Sequence, residues 1–570
     1  MTWDSFLTPD NFQLAWRRIR NSRIRDTKDR LGLKVFSQAL DVHIEQLIID
    51  IQSEKYEPES PSIIYSPKKS GRLRPFTLLS MRDHLLYQAI GNIVVRNAFD
   101  DLQITADINV FSPVLSDIES DYVFYPALQK GDKFEGQFVK FMRRQTELIS
   151  LRHHHYVAEA DIASFYPSID HGLLGKKLVL NGWLNERISY LLSKCLNKWS
   201  SNNANFVISK GLPIGYEASD VLANLFIFDL DEFLKKFEYI RYVDDIRIFT
   251  TNKNEAESAL IELDKYLLQQ GLVLNANKSK VKDLRDLSIQ KELTDLQNQQ
   301  ILLSDIQRQL NSNYNEQRRK ADKELQNILV EVLNVEYWDN PNYEEDLKAS
   351  DNETYLFFSL YRIREKNIKL RDLCLKLLIT HPHRSYAIVK YLSLFKNDPD
   401  VLNELWKITR NNAIHSKVRA DCLQGLYQLS ANTEEIVKVV QEWILSEDLT
   451  LAFSAVGMIQ RFKSQIDFLE SCVEQISSEH LLLAVISTLY SLYENQEDKV
   501  LLINFCLNND KYMLKSLGVF FVSTSLHLLP MLDDVLDDLV EKLLDHLRER
   551  ISLDNSIINL QRLFGIDSSI

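Results

Sequence analysis

Two periodicities run along this chain, and the change from one to the other divides it. Residues 1–55 place Phe12, Trp16 and Ile19, then Leu40, Ile44, Leu47 and Ile48, at the three-and-four spacing of amphipathic helices, which predicts two or three of them. A hairpin followed by a helix is expected over 60–100, and a less regular insertion over 101–150. Strict alternation then appears. The run from Ile240 to Phe249 sets β-branched and aromatic residues on either side of two adjacent acids, so it predicts a tight β-hairpin with Asp244 and Asp245 at its tip. Tyr156–Asp161 begins as a short strand, and the chain turns by Pro167, which cannot continue a ladder. Val221 to Phe237 reads as one helix. Beyond residue 285 the strand pattern vanishes. Residues 286–334 are polar, rich in Gln and Leu and helical in period, as in a linker helix or a short coiled-coil-like segment. From Thr354 to Leu547 amphipathic helices alternate with polar turns such as Lys396–Asp400 and Asn508–Asp510. Helix pairs recur roughly every 35–45 residues, the pattern of an irregular α-solenoid of the HEAT-like sort.

Composition narrows the class. The chain has 570 residues, 45% hydrophobic and 26% charged, enough for two or three domains with their own cores. No secretory signal or membrane-spanning apolar run is legible, and the five cysteines (Cys195, Cys374, Cys422, Cys472, Cys506) show no paired spacing. A reducing, cytoplasmic location is the expectation, without a disulfide framework or a zinc-type cluster. A net charge of −13 argues against a partner of nucleic acid, but residues 1–285 hold 37 basic and 37 acidic side chains, so all of the excess lies in the second half. The first half is free to carry basic tracks. One runs from Trp16 to Arg25 and suits either phosphate contacts or packing on acidic neighbours. The aromatics Phe111, Tyr122, Phe124 and Tyr125 of the insertion suit base stacking or, more economically, a small core. His153, His154 and His155 alternate faces of a strand and receive no ligand role.

The candidate chemistry lies in the acids. Adjacent exposed carboxylates repel unless a hard cation neutralises them. Most Asp-Asp pairs are solvated turns, and a third acid in a matching setting changes that reading. Asp161 closes the upstream strand, where it can face the hairpin tip. With Asp244 and Asp245 it makes the minimal set for two Mg²⁺ ions about 3.5–4 Å apart, one activating a hydroxyl and the other holding a triphosphate. Mn²⁺ is the expected substitute.

At this point the chain resembles the reverse transcriptases, over roughly residues 55–285. Pro67–Pro75 followed by Met81–Ile90 resembles the fingers signature, and Asp161–Ile169 resembles motif A. Gly211–Gly215 with Ser219 and Leu222–Leu225 resembles motif B, Tyr242–Asp245 motif C, and Gly271–Lys280 motif D. The resemblance implies an α/β fingers-palm polymerase core, followed by the all-α helical repeat region. The expected divisions are 1–55 (N-terminal helices), 56–285 (fingers and palm), 286–345 (helical linker) and 346–570 (helical repeats). It implies that Asp161, Asp244 and Asp245 bind metal and that Lys68 and Arg74 grip the incoming triphosphate. Tyr166 matches the steric gate that favours deoxynucleotides, and Gly211 and Gly215 allow close backbone approach to nucleotide and template. Lys278, with Lys280 as the alternative, matches a general acid for the departing pyrophosphate.

Two positions depart from the family pattern. Ile214 stands where many relatives carry Gln, and Asp220 where they carry Pro, which puts faithful template reading in doubt. No thumb, maturase, endonuclease or RNase H region is recognisable. A core running directly into helical repeats resembles the bacterial abortive-infection and defence-associated reverse transcriptases, in which the helical part sits where a thumb would be. That branch implies antiviral (phage) defence, dNTP substrates and a homo-oligomer with no membrane association. It also implies either template-free, protein-primed synthesis of single-stranded DNA attached to the protein, or copying of a bound non-coding RNA. A catalytically silent nucleic-acid sensor and a mobile-element enzyme are the competing readings.

Overall fold

The structure is a computed structural model describing residues 3–22, 24, 29–124, 136–151, 153–200, 208–286, 288–289, 302–303, 305–333, 352–431, 433–532 and 537–548. Tyr125 and the expected boundary near residue 345 lie outside the described residues. Four helices open the chain where two or three were expected: α1 (Trp3–Phe6), α2 (Pro9–Asn21), α3 (Arg30–Phe36) and α4 (Leu40–Gln52). The extra breaks have a local cause. Thr8 and Asp29 cap α2 and α3, their side chains accepting from the backbone N–H of Asn11 and Gly32, and capping residues favour helix starts over continuation. The basic track folds inward: the buried Arg18 guanidinium donates to Asn92 Oδ1 (2.8 Å) and to the carbonyls of Ile118 (2.7 Å) and Ser120 (3.0 Å). Arg17 meets Asp121 at 2.7 Å. For these two arginines packing, not phosphate contact, is the outcome.

The fingers hairpin pairs β1 (Ser62–Pro67) with β2 (Leu73–Leu78), and α5 (Met81–Gln103) runs behind it, buried on nearly every side. The insertion contributes α6 (Gln137–Ser150). The palm then follows as β3 (Tyr156–Asp161), α7 (Phe165–Ser168), α8 (His171–Leu180), α9 (Glu186–Ser200), α10 (Glu217–Phe226), α11 (Phe228–Leu234), β4 (Glu238–Tyr242), β5 (Asp245–Thr250), α12 (Lys253–Gln269) and β6 (Lys280–Asp283). The expected single helix over 221–237 is two, broken at Ile227. The Lys177 ammonium takes the Phe226 carbonyl at 2.7 Å and pairs with Asp229 at 3.1 Å, which diverts a backbone acceptor at the junction.

The palm sheet has the order β4-β5-β3-β6, with every pair antiparallel. Side chains alternate between its faces. Ala158, Ala160, Ile246 and Ile248 join the main core, while Val157, Ile240 and Phe249 pack with Phe111, Phe141, Met142 and Leu148 into a smaller one. Of the insertion's aromatics, Phe111 is core and Phe124 is packed against the main core, whereas Tyr122 is exposed.

No strand is described after β6. Asn315–Leu333 (α13) realises part of the expected linker helix. The helices that follow are α14 (Asn352–Leu360), α15 (Ile368–Thr380), α16 (Ser385–Leu392), α17 (Pro399–Thr409), α18 (Ser416–Gln428), α19 (Thr433–Ile444), α20 (Leu449–Ile459), α21 (Ile466–Cys472), α22 (Glu479–Leu492), α23 (Gln496–Leu507) and α24 (Tyr512–Thr524). From α15 onward they pack as successive pairs, and the even-numbered helices α16 to α24 stack on one another in chain order. Pair starts at Ile368, Pro399, Thr433, Ile466 and Gln496 follow a shorter step than the sequence suggested, because the connecting turns are only a few residues long. All five cysteines are buried and free.

This helical region grips the fingers and the N-terminal helices. Ser62 Oγ meets Ser478 Oγ (2.9 Å) and His480 Nδ1 (3.2 Å), His480 Nε2 lies 3.1 Å from the Leu79 carbonyl, and His43 Nδ1 meets the Tyr512 hydroxyl at 2.8 Å. Lys69, beside the hairpin turn, pairs with the buried Glu353 of α14. At the same seam Glu479 faces Glu59, and burial, then the Glu59 charge, push the Glu479 carboxyl up to about 8. A carboxyl raised by folding stabilises the fold fully below its unfolded pKa and loses that contribution as pH rises through about 8. Glu479→Gln is therefore expected to leave the urea midpoint unchanged at pH 5 and to raise stability by about 1–2 kcal/mol at pH 8.5, read as a flatter midpoint-against-pH curve.

Candidate active site

The site is assembled by strand register. Asp161, the last residue of β3, stands directly opposite Asp245, the first residue of β5, and Tyr242 is the hairpin partner of Asp245. The turn between Tyr242 and Asp245 therefore consists of Val243 and Asp244 alone. Val243 takes φ of 55°, a left-handed conformation that a β-branched residue adopts only under compulsion. The compulsion is visible. The Val243 N–H donates to the Ser112 carbonyl (3.2 Å), and the Val243 carbonyl accepts from Arg241 Nη1 (3.1 Å). Arg241 is itself fully buried, forked onto Asp231 at 2.9 and 2.5 Å and bonded to Asn224 Oδ1 at 2.9 Å. A planar guanidinium held by three partners makes a rigid post under the hairpin tip.

The acids share a sheet face with α6. Tyr242 packs edge-on against Phe138 (5.3 Å between centroids) and lies 5.8 Å from Phe141, so the insertion helix buttresses the acidic hairpin. Arg247, two residues beyond Asp245 on the same face, donates to Asp245 Oδ2 at 3.3 Å with its guanidinium 4.6 Å above the Phe141 ring.

Motif D closes the other side. The Asn275 N–H donates to the Asp161 carbonyl (2.7 Å), Asn275 Nδ2 to Asp161 Oδ2 (3.0 Å), and Lys278 Nζ to Asp161 Oδ1 (2.8 Å). Burial, then the charges of Asp161 and Asp245, push the Asp244 carboxyl up to about 6 against the opposing pull of Lys278. Asp245 is raised as well, by burial foremost, with Arg247 opposing. A cleft of about 280 Å³ opens beside the acids, lined by Glu159, Asp161, Asp245, Arg247, Lys278 and Lys280.

The structure thus gathers Asp161, Asp244, Asp245 and Lys278. Among the described residues, however, no three His, Cys, Asp or Glu side chains are grouped so as to hold a metal ion. The reason is that Asp161 is turned to Lys278 and Asn275, and Asp245 to Arg247. The donor set still fits a hard divalent cation. It is all carboxylate oxygen, and the repulsion from Asp161 and Asp245 that adds to burial in raising Asp244 is what such a cation relieves.

Tyr166 and Gly215 are brought in by motif B. Its loop is zipped to the end of motif A through Leu212 N to the Tyr166 carbonyl (3.0 Å) and Gly211 N to the Ile169 carbonyl (2.8 Å). Gly211 (φ 99°) and Gly215 (φ 112°) occupy left-handed backbone that side chains disfavour. Tyr166 donates its hydroxyl to Asp220 Oδ1 at 2.6 Å. Lys68 and Arg74 stand exposed on the fingers hairpin, whose turn uses Gly71 at φ 73°. Among the described residues no hydrogen bond or ion pair joins either to the acids. Their link is indirect, through Thr77 N to the Ile214 carbonyl (3.3 Å) and the Tyr216 hydroxyl to the Thr77 carbonyl (2.8 Å). Sequence reasoning gave no role to Arg247 or Arg241. Both lie in the run from Ile240 to Phe249, Arg241 three residues before Asp244 and Arg247 two after Asp245, and that proximity was the available signal.

Residues 66–299 match the family described as reverse transcriptase (RNA-dependent DNA polymerase). Protein YkfC of Escherichia coli is 22% identical over 207 residues, covering 36% of this chain and 49% of the relative. An uncharacterized 91 kDa protein in the cob intron of Schizosaccharomyces pombe is 25% identical over 240 residues, covering 41% and 26%. The chain thus spans about half, or less, of the length of these relatives. Similar solved structures include telomerase from Candida albicans with a TWJ fragment of telomeric RNA (TM-score 0.30, 13% identity, 65% of this chain and 67% of that one). Apo telomerase from Candida tropicalis gives TM-score 0.30 at 10% identity over 83% and 72%. With the matched segment holding the turn and second strand of the fingers hairpin, the opposed Asp161 and Asp245, and the Lys278 loop, this chain carries a reverse transcriptase domain.

Proposed function

We propose that the protein is a Mg²⁺-dependent nucleotidyltransferase that polymerises dNTPs into single-stranded DNA, started from a hydroxyl of the protein and made without a template, in the service of antiviral defence. The observation that carries the polymerase reading is the cross-strand pairing of Asp161 with Asp245 inside the matched domain. Asp161, Asp244 and Asp245 would hold the metal, which when bound activates the attacking hydroxyl and neutralises the triphosphate. The chain's own residues supply the rest. Lys278 donates the proton, Tyr166 shapes the sugar pocket, and Lys68 and Arg74 meet the phosphates. Untemplated synthesis is favoured by Ile214, an aliphatic residue where a template-reading side chain would be needed. The defence role rests on architecture, a reverse transcriptase domain gripped by stacked, HEAT-like helical pairs.

Purified protein given Mg²⁺ and labelled dNTPs, with RNase added, is expected to keep label through denaturation. Synthesis that appears only with co-purifying RNA and stops after RNase replaces this reading with copying of a bound non-coding RNA. Absence of any transfer leaves the sensor reading.

A further inference from the structure

We propose that Asp220 is the positioning residue for Tyr166, so that the discrimination between deoxy- and ribonucleotides depends on the pair and not on the tyrosine ring alone. The inference rests on the polymerase reading and adds a residue to it. Tyr166 sits in the one-turn helix α7, entered through Ser164 in a left-handed conformation (φ 48°). Its backbone is fixed by Leu212, but its side chain is only half-buried, so apolar packing covers one part of the ring and leaves its polar end to be fixed by other means. The ring packs against the main core and lies edge-on to Phe165 at 5.6 Å, and what fixes its polar end is the hydroxyl's hydrogen bond to Asp220 Oδ1 at 2.6 Å, across 54 residues of sequence. That length is typical of a charge-assisted O–H···O⁻ bond, roughly twice as strong as a neutral one.

The anchor is itself rigid. Asp220 lies in the first turn of α10, where the helix dipole favours an anion. The preceding residue, Ser219, is fully buried, donating to the Pro213 carbonyl (2.6 Å) and meeting the Tyr87 hydroxyl (2.8 Å). One residue earlier, Ala218 lies so close to Gly91 that a Cβ on that glycine would come within 3.0 Å of it. The start of α10 is therefore immobilised against α5, and Asp220 transmits that rigidity to the ring. A residue that excludes one hydroxyl by shape has to stay in place, since a pocket discriminates such small differences by only about 10–200-fold even when well formed.

The test compares kcat/KM for a dNTP and its rNTP. Tyr166→Phe keeps the ring and removes the anchor; Asp220→Leu removes it from the other side. Each is expected to lower the dNTP preference by roughly tenfold, and the double variant no further, because both delete one interaction. Asp220→Asn retains an acceptor and is expected to keep most of the preference. Asp220→Leu that slows both nucleotides in parallel, or a double variant whose losses add, overturns the anchor while leaving the polymerase reading intact. A wild-type protein that transfers no nucleotide overturns both. Should Asp220→Leu not fold, Tyr166→Phe against Asp220→Asn decides.

Discussion

Asp161→Asn is expected to abolish nucleotide transfer, lowering its rate by at least about 10³-fold, with little change in stability. The two halves of that expectation come from different atoms. The backbone of Asp161 does structural work, as register partner of Asp245 and as carbonyl acceptor for Asn275, and an amide side chain disturbs neither. In the proposed reading the carboxylate does the chemical work. With Asp244 and Asp245 it makes an anionic cluster whose charges add to burial, the larger cause, in pushing Asp244 up to about 6. Removing one of three charges lowers the affinity of the remaining set for a hard divalent cation. Mn²⁺ binding followed by electron paramagnetic resonance should weaken in parallel with activity, without any substrate present. Glu159→Gln is the control. Glu159 lies two residues back on the same strand and face, but is engaged by Lys282 at 3.1 Å and is expected to lose less than about tenfold. Equal losses from both substitutions would mean that a general negative potential matters, and that Asp161 has no special place. Full activity in Asp161→Asn would remove the polymerase reading altogether.

What the sequence made legible follows the range of the interactions involved. The hairpin and the strand ending at Asp161 were readable because alternation is local and Pro167 stops the run. The register that sets Asp161 against Asp245 was only inferred, since it depends on β3 entering between β5 and β6. The break at Ile227 was missed because its cause is Lys177, about 50 residues upstream in the chain and adjacent only in the fold. Asp220 was visible as an oddity in motif B, yet its partner Tyr166 lies 54 residues away, and no periodicity connects them. The same limit hid the role of the insertion. Phe138 and Phe141 drew no reading from the sequence, and only the fold shows the helix that carries them supporting Tyr242. The pairing of Lys69 with Glu353 likewise joins segments of opposite character, and charge counts by halves could not reveal it. The alternation of amphipathic helices with polar turns was readable locally, though the step between pairs is shorter than expected, and their grip on the fingers rests on contacts such as His480 to Leu79 that no local pattern encodes.

Lys278 is where the largest remaining effect is expected, and it separates two roles that the geometry superimposes. Its ammonium lies 2.8 Å from Asp161 Oδ1 while the side chain stays largely exposed. In that position it neutralises a carboxylate that the proposed cation would need, and in the proposed reaction it would also donate a proton to the leaving group. Lys278→Met removes both functions. Loss of the proton donor should lower turnover by about 10²–10⁴-fold, the usual worth of a positioned acid. Loss of the competing positive charge should at the same time tighten Mn²⁺ binding, since Asp161 then faces only Asn275 and its fellow acids. Lys278→Arg restores the charge but holds its proton far too firmly to act as an acid. It should therefore bind Mn²⁺ as weakly as the wild type and still turn over slowly. This opposite movement of affinity and rate is the signature to look for. A merely structural lysine would move neither, and one acting only as a counter-ion would let Lys278→Arg recover the rate. If Lys278→Met turns over at the wild-type rate, the acid lies elsewhere, and Lys280, which lines the same cleft, is the residue to replace next.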